Sequence, residues 1–249
     1  MTARRVLITG ASAGIGMALA EYYAEPGAVL GLVARRTERL AAARPALEAA
    51  GAKVFIFAGD VRDAPRMAEV ARAFWSAAGG VDIVIANAGI SASDGLRQGD
   101  PQPASDVIAV NVQGVINTLL PLIPPMLERK AGHLVAIGSV AGFRGLPGKG
   151  AYSASKAAVK TLLDAWRVQL RGSGVHVTTI CPGYVESELT RDNAYPMPFL
   201  LGADQAARLI GRAIDRLAAV YVFPWQMRWV VPLLQAVPDW MLASMTGRK

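Results

Sequence analysis

The sequence contains one cysteine, Cys181, and two histidines, His133 and His176. A single cysteine excludes an internal disulfide framework and any site built from several cysteine ligands. Two scattered histidines are too few for a typical metal site, and no metal is expected. No part of residues 1–10 has the make-up of a cleavable leader, because the chain runs straight into an apolar, β-branched pattern. The expected location is therefore cytoplasmic. Acidic residues are in short supply: 26 Lys and Arg stand against 19 Asp and Glu, a net charge of +7. The arginines are dispersed apart from Arg4–Arg5 and Arg35–Arg36, and no aromatic residues are interleaved with them. That argues against a nucleic-acid partner and leaves attraction of an anionic small molecule open. The C-terminal segment 221–245 is apolar and carries Trp225, Trp229 and Trp240, but Pro224, Arg228, Pro232, Pro238 and Asp239 interrupt it. With no run of about 20 apolar residues it is not expected to span a bilayer. A subunit contact or a cover over a cleft ranks first for it, and a segment resting on a membrane surface second.

The chain has 249 residues, of which 53% are apolar and 18% charged. That predicts one domain over 1–249 with a large core, and excludes a disordered or collagen-like chain. Strand patterns rich in Val, Ile and Leu occur at 4–9, 28–34, 52–58, 82–86, 133–139 and 174–180, with a seventh at 220–223. Ala-rich helical patterns lie between them, at 14–25, 37–50, 63–78, 104–129, 151–171 and 203–217. This alternation predicts an α/β fold: a doubly wound parallel sheet of about seven strands, buried on both faces and covered by helices on both. Pro45, and then Pro121, Pro124 and Pro125, fall inside helical patterns, so a kink or early end is expected at each. The longest irregular stretches, 90–103 and 182–202, follow strand ends, where such sheets bind ligands.

The first strand runs into Thr9-Gly10-Ala11-Ser12-Ala13-Gly14-Ile15-Gly16 and then a helix. Glycines allow a tight turn and close approach to a pyrophosphate, and the helix N-terminus offers free N–H groups and partial positive charge. The spacing is Thr-Gly-x-x-x-Gly-x-Gly, not the commoner G-x-G-x-x-G. Further on come Asn87-Ala88-Gly89 after strand four, Asn111 in the fourth helix, and Ser139 at the end of strand five. Tyr152-Ser-Ala-Ser-Lys156 opens the fifth helix, and Pro182-Gly183 follows strand six. In this order the chain, over about 4–225, resembles the short-chain dehydrogenase/reductase family of Rossmann-type enzymes, in its NADP-preferring form.

Tyr152 and Lys156 share a helix face. A phenol with a pKa near 10 is a poor base at neutral pH, and a nearby ammonium favours the phenolate. Tyr152 can then exchange a proton with a substrate hydroxyl or carbonyl, while Ser139 holds the same oxygen. The resemblance implies that the reaction is a reversible reduction of a ketone or aldehyde, with a nicotinamide carrying the hydride. It also implies that Asn111 helps a water chain connect the lysine to solvent and that Lys156 binds ribose. It places the cofactor against Gly10, Ser12, Ala13, Gly14, Ile15, Gly16, Asn87, Ala88 and Gly89, with the adenine at Asp60 and Val61. Asp60 could also serve as a helix cap. Pro182, Gly183, Val185 and Ser187 would face the nicotinamide, with Ser187 where relatives often carry threonine. Gly138 stands where many relatives have another serine.

Strand two ends Ala34-Arg35-Arg36, with no carboxylate where an NAD enzyme commonly bonds the ribose 2′-hydroxyl. Arg35 can pair with a 2′-phosphate, so the expected cofactor is NADP(H). Cys181 reads as a small buried residue, since no general base is evident beside it. Tyr184, Leu189, Tyr195, Met197, Phe199 and Leu200 make the 184–202 loop apolar. They point either to an apolar substrate or to packing of the loop on the core. Arg144 and Arg191 are candidates for an anionic group. Relatives form dimers or tetramers through the fourth and fifth helices, so a homo-oligomer is expected. A non-catalytic NADP-binding sensor or scaffold is the alternative, although such proteins tend to lose the tyrosine or lysine. An epimerase or dehydratase would need a further substrate domain, for which the chain has no room.

Overall fold

In the computed structural model, residues 4–191 and 196–245 are described. Seven strands form one sheet: β1 Arg5–Thr9, β2 Val29–Ala34, β3 Lys53–Ala58, β4 Ile83–Ala86, β5 Gly132–Ile137, β6 Val175–Pro182 and β7 Val220–Phe223. Their order is β3-β2-β1-β4-β5-β6-β7, and every neighbouring pair is parallel. The expected doubly wound sheet is therefore present. Side chains alternate between its faces. Val6 and Ile8 of β1 join one core with Leu19 and Tyr23 of helix α1 (Gly14–Tyr23), Leu40 of α2 (Thr37–Ala49) and Ile210 of α6 (Ala203–Asp215). Leu7 joins the other core, with Phe74 of α3 (Ala64–Ala78), Leu119 of α4 (Gln102–Arg129) and Leu163 of α5 (Gly150–Gln169). One strand thus feeds two cores through its two-residue period.

The chain order reverses between β1 and β4, which opens a crevice at the carboxyl ends of the strands. Strand five stops at Ile137 rather than at 139, because Ser139 caps a short 3₁₀ turn, Val140–Phe143, by accepting from the Ala141 N–H at 3.1 Å. Strand six runs two residues past the expected end, where Cys181 and Pro182 pair with Val222 and Phe223 of β7.

The prolines differ in what they do to their helices. Pro45 neither ends nor interrupts α2. It and Ala41, whose carbonyl loses its helical partner, lie on the exposed side, where water can take that partner's place. Pro121 lies in a 3₁₀ turn, Leu120–Leu122, and the helix resumes through Pro124 and Pro125 to Arg129. Helix α4 thus continues through altered pitch instead of ending. By length and composition it is apolar enough to cross a membrane, but half of its most apolar window is buried within the fold.

The C-terminal segment forms α7 (Met227–Ala236) and α8 (Asp239–Met245). Helix α7 turns Met227 and Val231 inward and leaves Trp229 and Leu233 exposed, as are Trp225 and Trp240 outside it. It packs on β7 and on the 3₁₀ turn that follows Ser139. Arg144, a candidate for binding an anion, is instead occupied here: its guanidinium donates to the Val237 carbonyl and pairs with Asp239.

Candidate active site

The glycine-rich turn is held by polar stitches between the two central strands. Thr9 Oγ1 accepts from the backbone N–H groups of Asn87 and Ala88, at 3.2 and 3.3 Å. The Asn87 side-chain amide donates to the carbonyls of Thr9 and Gly10, at 3.0 and 3.2 Å. Gly10 has φ +65°, and a Cβ there would stand 2.7 Å from the Ala88 backbone. At Gly16 a Cβ would stand 2.3 Å from the Gly10 carbonyl oxygen. Only glycine lets α1 sit this close on the turn. No side chain caps α1 at Ala13, and no acid lies in its first turn. Its N-terminal N–H groups therefore remain available to an anion.

A cleft opens over this turn. It is lined by Gly10, Ser12, Ala13, Gly14 and Ile15 at one wall, and by Arg35, Asp60 and Val61 at the far end. Asn87, Ala88 and Gly89 form its floor. Ser139, Tyr152, Lys156, Pro182, Gly183, Val185 and Ser187 complete it. The expected site residues are thus brought together from six strand ends, with two exceptions. Gly16 lies beneath the turn. Asn111 is fully buried one layer behind the wall.

Asn111 sits in a single π-helical turn, Ala109–Gln113, within α4. Its Oδ1 accepts from the Ile90 N–H at 2.8 Å, and its Nδ2 donates to the Ile90 carbonyl and to Ser155 Oγ. Ser155 Oγ in turn donates to the Tyr152 carbonyl at 2.7 Å. The side chain therefore braces the segment after Gly89 against the helix that carries Tyr152. The π-bulge widens the helix where that brace is needed.

Lys156 is buried. Its Nζ donates to the Ile137 carbonyl at 2.8 Å and lies 5.7 Å from the centre of the Tyr152 ring. Burial pulls the ammonium pKa down to about 8. Gly142 lets the 3₁₀ turn press on α5, since a Cβ there would lie 2.8 Å from the Lys156 carbonyl carbon. Ser139 is thereby held beside the tyrosine helix. Its Oγ already accepts from Ala141, which leaves its own proton to donate. Gly138 has a physical reason to depart from serine: a Cβ would come within 3.0 Å of the Ile180 carbonyl oxygen.

Residues that sequence patterns did not single out complete the arrangement. Asp94 reaches over from the loop after β4 and accepts from the N–H groups of Gly150 and Ala151, at 2.6 and 2.8 Å. It caps the helix bearing Tyr152 from 56 residues away, and its charge suits that helix end. Only the general rule that helix starts need a cap could have pointed to such a residue. Asp94→Ala is expected to cost about 1 kcal/mol in denaturant unfolding, with Asp94→Asn retaining part of it. An unchanged unfolding midpoint for the alanine variant would show that the cap contributes nothing.

Asp60 does not cap α3. That role belongs to Asp63, which accepts from the Arg66 N–H at 3.0 Å. Asp60 is held by Arg62 through its side chain and backbone N–H, which together keep its carboxyl below the usual range. Cys181 is buried, and burial pushes its thiol up to about 11, as suits an inert packing residue. Leu189, Phe199 and Leu200 are exposed rather than packed on the core, and Leu189 lines the cleft beside Thr190. Tyr195 lies outside the described residues. Thr190 Oγ1 lies 3.4 Å from Ser187 Oγ, so the serine that stands where relatives often carry threonine has a second hydroxyl beside it.

The end of β2 differs from expectation in one respect. Ala34 is confirmed at the strand end, and Arg35, exposed, has no ion pair among the described residues. A carboxylate nevertheless reaches the cleft. Glu188, from the loop after β6, pairs with Arg36 at 2.7 Å and with Arg39 at 2.5 Å. Those two arginines hold its pKa down to about 2. Its distance in sequence from β2 hid it.

The chain matches the model of the short chain dehydrogenase family over residues 4–196. It is 43% identical to an uncharacterized oxidoreductase of Myxococcus xanthus over 239 residues, covering 96% of this chain and 94% of that one. Its fold is similar to that of a short chain dehydrogenase/reductase from Burkholderia phymatum in complex with NAD, with TM-score 0.85, 30% identity, and 93% and 92% of the two chains covered. It is also similar to a short-chain dehydrogenase from Sphingobium yanoikuyae in complex with NADPH, with TM-score 0.80, 27% identity, and coverage of 95% and 97%.

Proposed function

The chain belongs to the short-chain dehydrogenase family, and we propose that it is an NADPH-dependent reductase of ketones or aldehydes, running in reverse as an alcohol dehydrogenase. It is an oxidoreductase of a family that uses a nicotinamide cofactor. The residues present fit such a group: an uncapped helix N-terminus and a glycine cradle that a Cβ would fill meet the needs of a pyrophosphate. When bound, a nicotinamide supplies or takes up a hydride. The phosphate choice is carried by one observation: Arg35 lines the cleft with no ion pair among the described residues, next to Ala34 instead of an acid.

The chain's own groups then divide the remaining work. Ser139 Oγ–H and the Tyr152 hydroxyl hold a substrate oxygen between them. Tyr152 gives that oxygen its proton during reduction and takes it back during oxidation. Lys156, as an ammonium, stabilises the phenolate left behind, and its remaining N–H groups would bond a ribose hydroxyl. Asn111 positions the wall of the proton path through Ile90 and Ser155. Leu189, exposed at the cleft, supports an apolar substrate. Leu120, Ile123, Pro124, Trp166 and Leu170 form an apolar hollow across α4 and α5, which supports a homo-oligomer through these helices.

Titration of the purified protein with NADPH and NADH, read by tryptophan fluorescence, tests the cofactor assignment. Arg35→Ala is expected to weaken NADPH by roughly tenfold and NADH by less than about twofold. Equal losses for the two would make Arg35 a structural residue, and tighter NADH in the wild type would overturn the assignment.

A further inference from the structure

We propose that Glu188 is a specificity residue for the cofactor: its carboxylate occupies Arg36 at the ribose end of the cleft and lowers affinity for a 2′-phosphorylated nucleotide relative to its 2′-hydroxyl counterpart. The proposal rests on the NADPH reading above and deepens it.

Arg35, Arg36 and Glu188 line the same end of the cleft, and Arg39 reaches Glu188 from the first turn of α2. Glu188 takes the Arg36 guanidinium with both oxygens, at 2.7 and 3.2 Å, while Arg39 meets one of them. That fork is the geometry with which an arginine would receive a phosphate. A 2′-phosphate arriving at Arg35 must therefore share Arg36 with Glu188 or displace it. Before it arrives, the three guanidiniums are offset by Glu188, by Glu38 in the field of Arg36 and by Asp60 in the field of Arg35, which leaves less positive charge than a phosphate monoester of about two negative charges would need. Without the Glu188 carboxylate the positive charge rises by one. A nucleotide with a free 2′-hydroxyl presents no charge there and is nearly indifferent to the change. Glu188 arrives on the loop after β6, where Ser187 also stands close over Gly14 of the phosphate turn. The chain thus places a charge regulator on its substrate loop rather than on the β2 strand end, where the acid of an NAD enzyme commonly lies.

All these groups are exposed, so the effect is modest and sensitive to salt. The test compares wild type with Glu188→Gln, titrated with NADPH, NADH, adenosine 2′,5′-bisphosphate and adenosine 5′-monophosphate. Glu188→Gln is expected to bind NADPH and the bisphosphate roughly three- to fivefold more tightly, with NADH and the monophosphate within about twofold of wild type. The gain should shrink in half-molar potassium chloride. An unchanged NADPH affinity, in a wild type that prefers NADPH, overturns the proposal and leaves the cofactor reading standing. Equal weakening of all four ligands also overturns it, because Glu188 would then only tie the loop down. A wild type that prefers NADH, combined with a variant that gains the bisphosphate, supports the role of Glu188 and removes the NADPH reading instead. Matching thermal melts of the two proteins keep the comparison free of folding effects.

Discussion

Tyr152→Phe is expected to lower kcat/KM for carbonyl reduction by about a hundred- to ten-thousand-fold, with cofactor affinity nearly unchanged. This corresponds to about 3–5 kcal/mol of transition-state stabilisation. The substitution keeps the ring, and with it the contact that places Lys156 Nζ 5.7 Å from the ring centre. It also keeps the backbone carbonyl that receives the Ser155 hydroxyl, so the brace running back to Asn111 stays intact. Lys156 still finds the Ile137 carbonyl. Only the O–H is lost, and Ser139 cannot replace it. A serine hydroxyl donates a hydrogen bond to the substrate oxygen, but an alcohol is a far weaker acid than a phenol and gives up its proton much less readily. The lysine titrates near 8, so the ammonium that supports a phenolate is present at neutral pH and fades above that value. Steady-state kinetics together with a fluorescence titration separate the two roles. Wild-type turnover in the variant would overturn the proton-transfer assignment. A large loss of cofactor affinity would show that the hydroxyl serves mainly to hold the cofactor.

The sheet was legible because its strands are buried on both faces and read as continuous apolar runs, such as Val6-Leu7-Ile8. The glycine turn and the Tyr152–Lys156 pair were legible because each is a local pattern whose spacing carries its chemistry. What escaped depends on contacts between residues far apart in the chain. Asp94 caps a helix 56 residues away, and Glu188 meets Arg36 across 152 residues. Neither leaves a periodic trace. Asn111 was legible as a residue but not as a brace, since its partners Ile90 and Ser155 lie on other elements. Where Arg144 points was hidden for the same reason: its partners lie 93 and 95 residues away, in the C-terminal segment. Pro45 does not end α2, because it and the freed Ala41 carbonyl lie on the exposed side, where water can take the place of the lost helical partner.

A second large effect is expected in acid stability, and it turns on His133. This residue is buried on β5, in register with His176 of β6, whose ring lies 6.0 Å away. Thr178 donates its hydroxyl proton to the Ala218 carbonyl at 2.6 Å, so Thr178 Oγ1 can only accept from His133 Nε2, at 2.7 Å. That bond excludes the Nδ1–H tautomer but is met equally by the neutral Nε2–H ring and by the imidazolium, so the protonation state is set by burial. Burial, and then the neighbouring His176, lower its pKa to about 4. In the unfolded chain a histidine binds its proton near pH 6.5. Between these values the unfolded state holds more protons than the folded one, so stability is present in full above about pH 6.5 and falls as pH drops toward 4. The loss over that window is on the order of 3 kcal/mol. Asp60, Asp82 and Asp164, which their arginine and lysine partners keep below the usual carboxylate range, release their stability at lower pH, so the histidine step stands apart from theirs. Urea unfolding at pH 7, 6, 5 and 4.5 should show the decline in wild type. His133→Phe, which removes the titrating ring and leaves Thr178 bonded to Ala218, should flatten it. An equal decline in both proteins would place the acid sensitivity elsewhere in the fold.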